Sequence, residues 1–219
     1  AESGKSVTAI VELKARFSEE ANIKLSQDLE KAGVHVVYGV VDLKTHAKAS
    51  LVVRRENKKL NTYVHFGTGN YHPTTAKIYT DLSLFTCNQE YAQDASRFFN
   101  MVTGHNDTED WGLLEAAPKG LRKKLLTLID EEIQNAKSGK PSGIWFKCNA
   151  IVDSKIIKAL YKASANGVKV DLIVRGVCCL KAGVPNLSEN IRVKSIIGRF
   201  LEHGRIYCFA SGSKMPSSK

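Results

Sequence analysis

The main constraint on the fold is a pattern that occurs twice in the chain. In each half, an apolar strand-like run precedes an amphipathic helix, a glycine stop and a second β-branched run. The glycine steps align as Ala32-Gly33-Val34-His35-Val36 and Asn166-Gly167-Val168-Lys169-Val170. Strand-helix-strand units favour parallel, buried sheets, and self-similarity favours two copies of one unit. We therefore predict an α/β chain of two tandem β-α-β domains with mostly parallel or mixed sheets, although ordinary β-α-β similarity also produces short matches.

The boundary between the copies is placed by composition. Glycine, proline, aspartate and mixed charge interrupt the periodic pattern between residues 104 and 120, which is typical of a connecting segment. We predict a first domain over 1–105, a linker over 106–120 and a second domain over 121–219.

Charge restricts the class of partner. The 219 residues carry a formal net charge of +10, which favours an anionic partner. Nucleic acid, an anionic membrane surface and a polyphosphate-type substrate all satisfy this requirement, and charge alone does not separate them.

The chain shows no signal peptide and no apolar run near the roughly 18 residues that a membrane span needs. Its five cysteines lack metal spacing, which indicates reduced thiols packed as small hydrophobic groups. These features favour a cytoplasmic protein. The missing initiator methionine indicates a fragment or a processed chain.

Each half also contains a histidine, one intervening residue and a base before a strand-like run. The motifs are His46-Ala47-Lys48 and His203-Gly204-Arg205. Residues i and i+2 of a strand share a face, so an imidazole and a cation would lie together. An imidazole can act as nucleophile or acid/base, and the cation can hold phosphate oxygens. A pseudo-two-fold pair of units would bring the histidines face to face across a cleft.

Both motifs also have structural interpretations. His46 and Lys48 form a common triplet that is often a solvated surface pair. His203 can instead be a structural histidine that pairs with Glu202 or with a carbonyl group.

Two further groups indicate a phosphate site. In Gly67-Thr68-Gly69-Asn70, glycines allow N–H groups to converge on an anion, and His65 precedes the turn. Lys77 and Tyr79 follow it. An ordinary glycine turn is the alternative.

Arg175 follows the predicted strand Val168 to Val174. Ligands of open α/β sheets bind at the carboxyl ends of strands, where a guanidinium can hold a phosphate. The alternative for Arg175 is a surface arginine.

Several stretches together resemble the C-terminal catalytic half of polyphosphate kinases of the first, bacterial class. The similarity runs from about Val7 to Phe209. It is carried by VELKARFSEEANI, AGVHVVYG, LKTHAK, YVHFGTGNYHPTTAKIYTDLSLFT, IVDSKIIKALYKAS, GVKVDLIVRGVCCL, LSENIRV and GRFLEHGRIYCF. The resemblance implies two phospholipase-D-like domains, the second incomplete. It also implies reversible, magnesium-dependent transfer of the γ-phosphoryl group of ATP to polyphosphate.

The resemblance also implies roles for single residues. His46 would be the phosphohistidine nucleophile, with Lys48 beside it, and His203 would contact nucleotide and act as acid/base. Tyr79 and Arg175 match nucleotide-contacting positions.

The resemblance implies supporting roles for a further group of residues. Arg16 matches a position at the magnesium site; because arginine has no free lone pair, we expect it to hold a phosphate oxygen beside the metal. His65, the glycine turn and Arg205 are phosphate-binding candidates, with His65 in a supportive role.

The chain departs from related patterns in two respects. The phospholipase-D pattern has an aspartate after the His-x-Lys triplet, where Val53 and Ala210 stand, which argues against hydrolytic diesterase chemistry. The family's N-terminal half and the last strands and helix of its second domain have no counterpart, so we expect a chain truncated at both ends.

The leading hypothesis is therefore a polyphosphate kinase that elongates polyphosphate with ATP, releasing ADP. A phospholipase-D-like phosphodiesterase or nuclease, and an inactive polyanion-binding fragment, are the alternatives. The hypothesis implies Mg²⁺, ATP or ADP and polyphosphate as ligands, a homo-oligomer in the full-length protein, and no nucleic-acid partner. The expected location is the cytoplasm, with peripheral membrane association as the alternative.

Overall fold

The computed structural model describes residues 1–12, 19–39, 43–104 and 110–215. These residues form two compact units. The first unit comprises Ala1–His65 and Phe85–Leu114, and the second comprises Phe66–Leu84 and Glu115–Lys219. The predicted domain boundaries differ from this grouping, because residues 66–84 join the second unit.

The first unit begins with the predicted β-α-β pattern. Its elements are β1 (Thr8–Ile10), α1 (Glu19–Lys31), β2 (His35–Val37), β3 (Lys48–Glu56), most of β4 (Lys59–Gly67) and α3 (Gln89–Val102). β1 and β2 pair in parallel, with Ala9 opposite Val36. Gly33, which ends α1, has a φ of +82°; glycine adopts this conformation without the penalty that a side chain brings. The predicted parallel unit is confirmed.

β3 and β4 form the predicted hairpin. They are adjacent in a sheet of order β3-β4-β6, in which β6 is Ser83–Thr86. Asn57 and Lys58 between them have φ values of 48° and 66°, as the two central residues of a type I′ turn require. β3 begins at Lys48, so His46 lies in the preceding loop. The expected same-face placement of His46 and Lys48 in one strand is therefore wrong.

A buried carboxylate fixes the last segment of the first unit. Asp94 on α3 is fully buried and accepts hydrogen bonds from the main-chain N–H groups of Gly112, Leu113 and Leu114 at 3.0, 2.7 and 2.8 Å. Arg97 also donates to it at 2.8 Å. Burial alone would raise the pKa of Asp94, but these four donors outweigh it and lower the pKa.

The second unit contains the larger sheet. Its elements are the end of β4, α2 (Pro73–Ala76), β5 (Tyr79–Thr80), the start of β6, α4 (Leu121–Lys137), β7 (Gly143–Cys148), α5 (Ser154–Ala165), β8 (Lys169–Val174), β9 (Ile191–Lys194), β10 (Leu201–Glu202) and β11 (Ile206–Phe209). The sheet order is β11-β7-β8-β9. The pairings β7-β8 and β8-β9 are parallel, and β11 is antiparallel to β7. A separate parallel pair joins β10 and β5.

α4 and α5 pack on one face of this sheet. Strand residues that alternate along β7 and β8 are buried against them, as period-two patterning predicts. Ile129 and Leu160 are fully buried helical members of this core. The predicted N-cap of α5 is confirmed, because Asp153 accepts hydrogen bonds from the N–H groups of Lys155 and Ile156 at 3.0 and 3.1 Å.

A buried glutamate ties two strand ends to α4. Glu132 is 1% exposed and accepts hydrogen bonds from Gly143 N–H at 2.8 Å and from Ser211 N–H at 2.6 Å. One donor begins β7 and the other follows β11, so one carboxylate fixes the same end of two neighbouring strands.

All five cysteines are free thiols, as predicted. The expectation that they are packed inside holds for Cys148, whose burial raises its pKa, but is wrong for Cys87 and Cys179, which are exposed. Among the described helices, none has the length and apolar character needed to cross a membrane.

Asp94 gives a stability prediction. Asp94→Asn replaces a charged acceptor with an amide that faces N–H donors, and we expect a loss of about 2–4 kcal/mol in the free energy of unfolding measured in urea. Because the folded pKa is lowered, the carboxylate's contribution is present above the unfolded pKa of about 4 and disappears as pH falls through the folded pKa. The difference between the two proteins should therefore shrink in acid.

Asp28→Asn is the matched control, since Asp28 is exposed on α1 and faces Lys31 at 3.7 Å. Its cost should stay below about 1 kcal/mol. Equal losses in the two variants would contradict the assigned role of Asp94.

Candidate functional site

His203 is positioned by the short parallel pairing of β10 with β5. Glu202 lies opposite Thr80 in this register, and His203 N–H donates to the Thr80 carbonyl at 3.3 Å. Parallel strands advance together, so the residue after Glu202 lies beside the residue after Thr80. This register brings His203 next to Asp81, which is 122 positions away in the sequence.

Asp81 is the hydrogen-bond partner of the buried His203 ring. His203 Nδ1 and Asp81 Oδ1 are 2.7 Å apart, and His203 is 6% exposed. Thr68 Oγ1 also donates to Asp81 Oδ1, at 2.8 Å. A carboxylate on Nδ1 fixes the orientation of an imidazole. The alternative pairing of His203 with Glu202 is therefore wrong.

Glu202 instead binds a lysine from β7. Its Oε2 lies 2.8 Å from Lys147 Nζ and accepts a hydrogen bond from Thr80 Oγ1 at 2.9 Å. Lys147 lowers the pKa of Glu202, and the Thr80 hydroxyl adds to this effect. Lys147 also donates to the Gly204 carbonyl at 3.4 Å, so it holds the residues on both sides of His203.

Two predicted nucleotide-contacting residues lie close to His203. The Tyr79 and His203 ring centroids are 4.9 Å apart at an interplanar angle of 47°. Arg175 Nη1 donates to the Glu202 carbonyl at 3.1 Å. Arg205 is exposed two residues after His203. The structure thus collects Tyr79, Arg175, His203 and Arg205 at the carboxyl edge of the second unit's sheet, where open α/β sheets bind ligands.

The first unit holds His46 on an exposed loop. Glu12, which follows β1, accepts a hydrogen bond from Thr45 N–H at 3.0 Å. Lys48 Nζ donates to the His46 carbonyl at 2.6 Å. The loop is therefore attached at both sides of His46, and the histidine side chain is exposed. The predicted juxtaposition of His46 with His203 stays a prediction.

Thr68, in the glycine turn, uses its N–H and hydroxyl groups in hydrogen bonds within the chain. Thr68 N–H donates to the Leu82 carbonyl at 3.0 Å, and the Thr68 hydroxyl binds Asp81. A Cβ at Gly69 would clash with the Asp81 carboxylate, so glycine permits that close approach. Phosphate binding at Gly67, Gly69 and Asn70 stays a prediction, and the Thr68 N–H is already used.

His65 stacks on an aromatic ring. Its ring centroid lies 4.3 Å from that of Phe85, with an interplanar angle of 27°. The supportive, phosphate-binding role of His65 stays a prediction.

The described residues form no cluster of side chains that could coordinate a magnesium ion. They contain no group of three or more His, Cys, Asp or Glu side chains placed to hold a metal. Asp81 and Glu202 already bind His203 and Lys147. The predicted metal-site residue Arg16 lies outside the described residues. The described side chains therefore do not fit a magnesium ion held by the protein alone.

Parallel β-α-β units with a histidine motif in each half place the chain in the phospholipase-D-like α/β class. Comparison with known proteins narrows this class. Residues 1–108 match the model of polyphosphate kinase C-terminal domain 1, and residues 114–216 match that of polyphosphate kinase C-terminal domain 2. The chain therefore belongs to the polyphosphate kinase family, and the predicted family and fold class are confirmed.

Individual relatives agree with this assignment. A polyphosphate kinase of Erythrobacter litoralis is 57% identical over 218 residues, which is 100% of this chain and 30% of that protein. One from Thermosynechococcus vestitus is 54% identical over 96% of this chain and 29% of its own length. The crystal structure of polyphosphate kinase from Porphyromonas gingivalis superposes with a TM-score of 0.86 at 40% identity, covering 97% of this chain and 35% of that one. The chain thus spans about a third of the length of these proteins.

Asp81 and Lys147 are the site residues that sequence reasoning missed. The phospholipase-D pattern has an aspartate a few residues after each His-x-basic motif, where Val53 and Ala210 stand in this chain. Asp81 lies far from His203 in the sequence and reaches it through the pairing of β5 with β10. No local spacing links Asp81 to His203, and the only sequence signal was its place beside Tyr79 and Thr80.

We expect Asp81 and His203 to be energetically coupled. A double-mutant cycle with Asp81→Ala, His203→Ala and the double variant, measured by urea unfolding, should give a coupling of about 1–3 kcal/mol. Each single change removes the hydrogen bond between the two residues and leaves the other polar side chain in its buried position. The control cycle pairs Glu202→Ala with His203→Ala and should give a clearly smaller coupling, because Glu202 binds Lys147. Equal couplings in the two cycles would argue against the Asp81 contact.

Proposed function

We propose that the chain carries out the phosphoryl transfer of a polyphosphate kinase, moving the γ-phosphoryl group of ATP reversibly to polyphosphate through phosphorylated His46. The observation that carries the proposal is the buried His203–Asp81 pair with Tyr79 and Arg175 beside it, in a chain that belongs to this family. The net charge of +10 suits polyanionic substrates.

The proposed steps balance at phosphorus. An imidazole nitrogen of His46 forms a bond to the γ-phosphorus of ATP while the bond to the bridging oxygen breaks, and ADP leaves with that electron pair. A terminal oxygen of polyphosphate then attacks the same phosphorus, and the bond to His46 breaks. The product is polyphosphate longer by one phosphate, and His46 returns to its starting state.

The chain's own groups support these steps in different ways. His46 is exposed, as an attacking group must be, and the bonds from Thr45 to Glu12 and from Lys48 to the His46 carbonyl limit the movement of its loop. His203, oriented by Asp81, can donate or accept a proton at the phosphoryl group. Arg175 and Arg205 supply charge for non-bridging oxygens.

Magnesium, as the resemblance implies, would neutralise phosphate charge when it arrives bound to ATP. Mg²⁺ often binds through substrate phosphates with few protein ligands. The expected homo-oligomer, cytoplasmic location and peripheral membrane contact stay predictions.

Labelling with γ-³²P-ATP and Mg²⁺ tests the proposal. We expect acid-labile, alkali-stable label on the protein, characteristic of phosphohistidine, and loss of that label in His46→Gln. His203→Ala should slow labelling about 10²–10⁴-fold, because an acid/base group is lost. Quench-flow followed by alkaline gel electrophoresis measures the rate.

His35→Gln is the matched control, since His35 is an exposed histidine of the same unit on β2. It should label as the unaltered protein does. Label that persists in His46→Gln would rule out His46 as the carrier.

A phosphodiesterase is the second candidate, because Asp81 gives His203 the carboxylate partner that the motif itself lacks. It predicts cleavage of bis(p-nitrophenyl) phosphate without ATP. Steeply salt-dependent binding of polyphosphate, with neither label nor cleavage, would instead identify a polyanion-binding chain.

A further inference from the structure

One buried acceptor at the carboxyl edge of the second unit has no assigned role. Asn149 follows β7 directly, and its side-chain Oδ1 is buried without a hydrogen-bond partner among the described residues. Buried amide oxygens are nearly always hydrogen-bonded, because an unpaired one loses its contact with water and gains nothing in return. A buried acceptor of this kind is satisfied by an interior water or by a donor group of a bound ligand.

The backbone places Asn149 beside the residue predicted to contact nucleotide. β7 and β8 are parallel neighbours, and Asn149 and Arg175 each follow the last residue of one of them. Arg175 N–H donates to the Cys148 carbonyl at 3.1 Å, and Gly176 N–H donates to the Asn149 carbonyl at 2.8 Å. A Cβ at Gly176 would lie 3.1 Å from that carbonyl, so the two strand ends meet closely. Arg175 in turn contacts Glu202, next to His203.

The chemistry of an amide oxygen restricts what it can bind. Phosphate oxygens near neutral pH are acceptors, so they cannot satisfy Oδ1. Hydroxyl and amino groups are donors, and in a nucleotide they belong to the ribose and the base. Arg175 can bind the phosphates with its guanidinium, while Asn149 beside it offers the complementary acceptor.

We propose that Asn149 Oδ1 accepts a hydrogen bond from a hydroxyl or amino group of the nucleoside half of the bound nucleotide. Asn149 thereby separates nucleotide from bare polyphosphate at the same cationic edge. This inference rests on the proposed function, since it requires that ATP or ADP binds at the edge formed by β7 and β8.

The test compares ATP with inorganic tripolyphosphate, which has the phosphates but no nucleoside. Calorimetric titration of the full chain in Mg²⁺ gives the ratio of the two affinities. Asn149→Leu should lower this ratio about tenfold by weakening ATP alone. Asn149→Asp keeps an acceptor oxygen and should retain more of the ratio than Asn149→Leu.

Asn166→Leu is the matched control. Asn166 is also partly buried but lies before β8, at the opposite edge of the sheet, and its amide donates to the Lys162 carbonyl at 2.8 Å. The affinity ratio should be unchanged in this variant. Because the readout is a ratio, partial unfolding lowers both affinities together and does not imitate the expected result.

Other outcomes overturn the inference. An unchanged ratio in Asn149→Leu means either that the amide donates to phosphate, if both affinities fall, or that an interior water satisfies Oδ1, if neither falls. A native protein without preference for ATP over tripolyphosphate also excludes a nucleoside contact. Labelling of His46 is measured separately. If His46 is labelled but the affinity ratio is unchanged in Asn149→Leu, the inference about Asn149 fails and the proposed function stands.

A supporting arm locates the donor. Titrations with 2′-deoxyATP and with purine riboside triphosphate remove a ribose hydroxyl and the exocyclic amine respectively. The analogue that lacks the donor should bind the native protein about tenfold more weakly than ATP and should be insensitive to Asn149→Leu. Sensitivity of both analogues equal to that of ATP would assign the donor to another hydroxyl of the ribose.

Discussion

The parallel pairing of β7 with β8 fixes most of the second unit. Six residues of each strand pair in register, from Gly143 opposite Lys169 to Cys148 opposite Val174. One face of these strands packs on α4 and α5 and forms the core. Because the strands end together, the residues that follow them, Asn149 and Arg175, lie at one edge. β11 runs back along β7 and returns the chain from the His203 segment to the sheet. The core and the edge that carries Asn149 and Arg175 therefore depend on the same register.

The site itself uses a second and much shorter parallel pairing. β10 and β5 contribute two residues each, too few to hold together alone. The side chains complete the attachment: Lys147 binds Glu202 and the Gly204 carbonyl, and Asp81 binds His203. These side-chain contacts thus stabilise the short β5–β10 pair, as additional main-chain hydrogen bonds stabilise a longer strand pair. Partial burial strengthens these contacts relative to surface ion pairs.

Local sequence rules predicted most of the repeated framework. The β-α-β pairings, the β3-β4 hairpin and the Asp153 cap follow from periodicity, glycine stops and capping preferences, and the family resemblance is confirmed. The rules failed where a partner comes from far along the chain. Glu202 and the position of Ala210 were considered for His203 because they are near in sequence, whereas Asp81 arrives through β5. Two-residue strands such as β5 and β10 carry no periodic signal. His46 was expected within a strand because an apolar run begins soon after it, but Lys48 is the first strand residue.

The distance in sequence between Asp81 and His203 has a consequence for folding. The β-α-β units close over short loops, so they can form early and independently. The contact between Asp81 and His203 closes 122 residues, which costs more chain entropy and requires that the segments between are already compact. We therefore expect this contact to form late in folding, after the sheet exists. We expect a partly folded chain to form its β-α-β units before Asp81 orients the His203 ring.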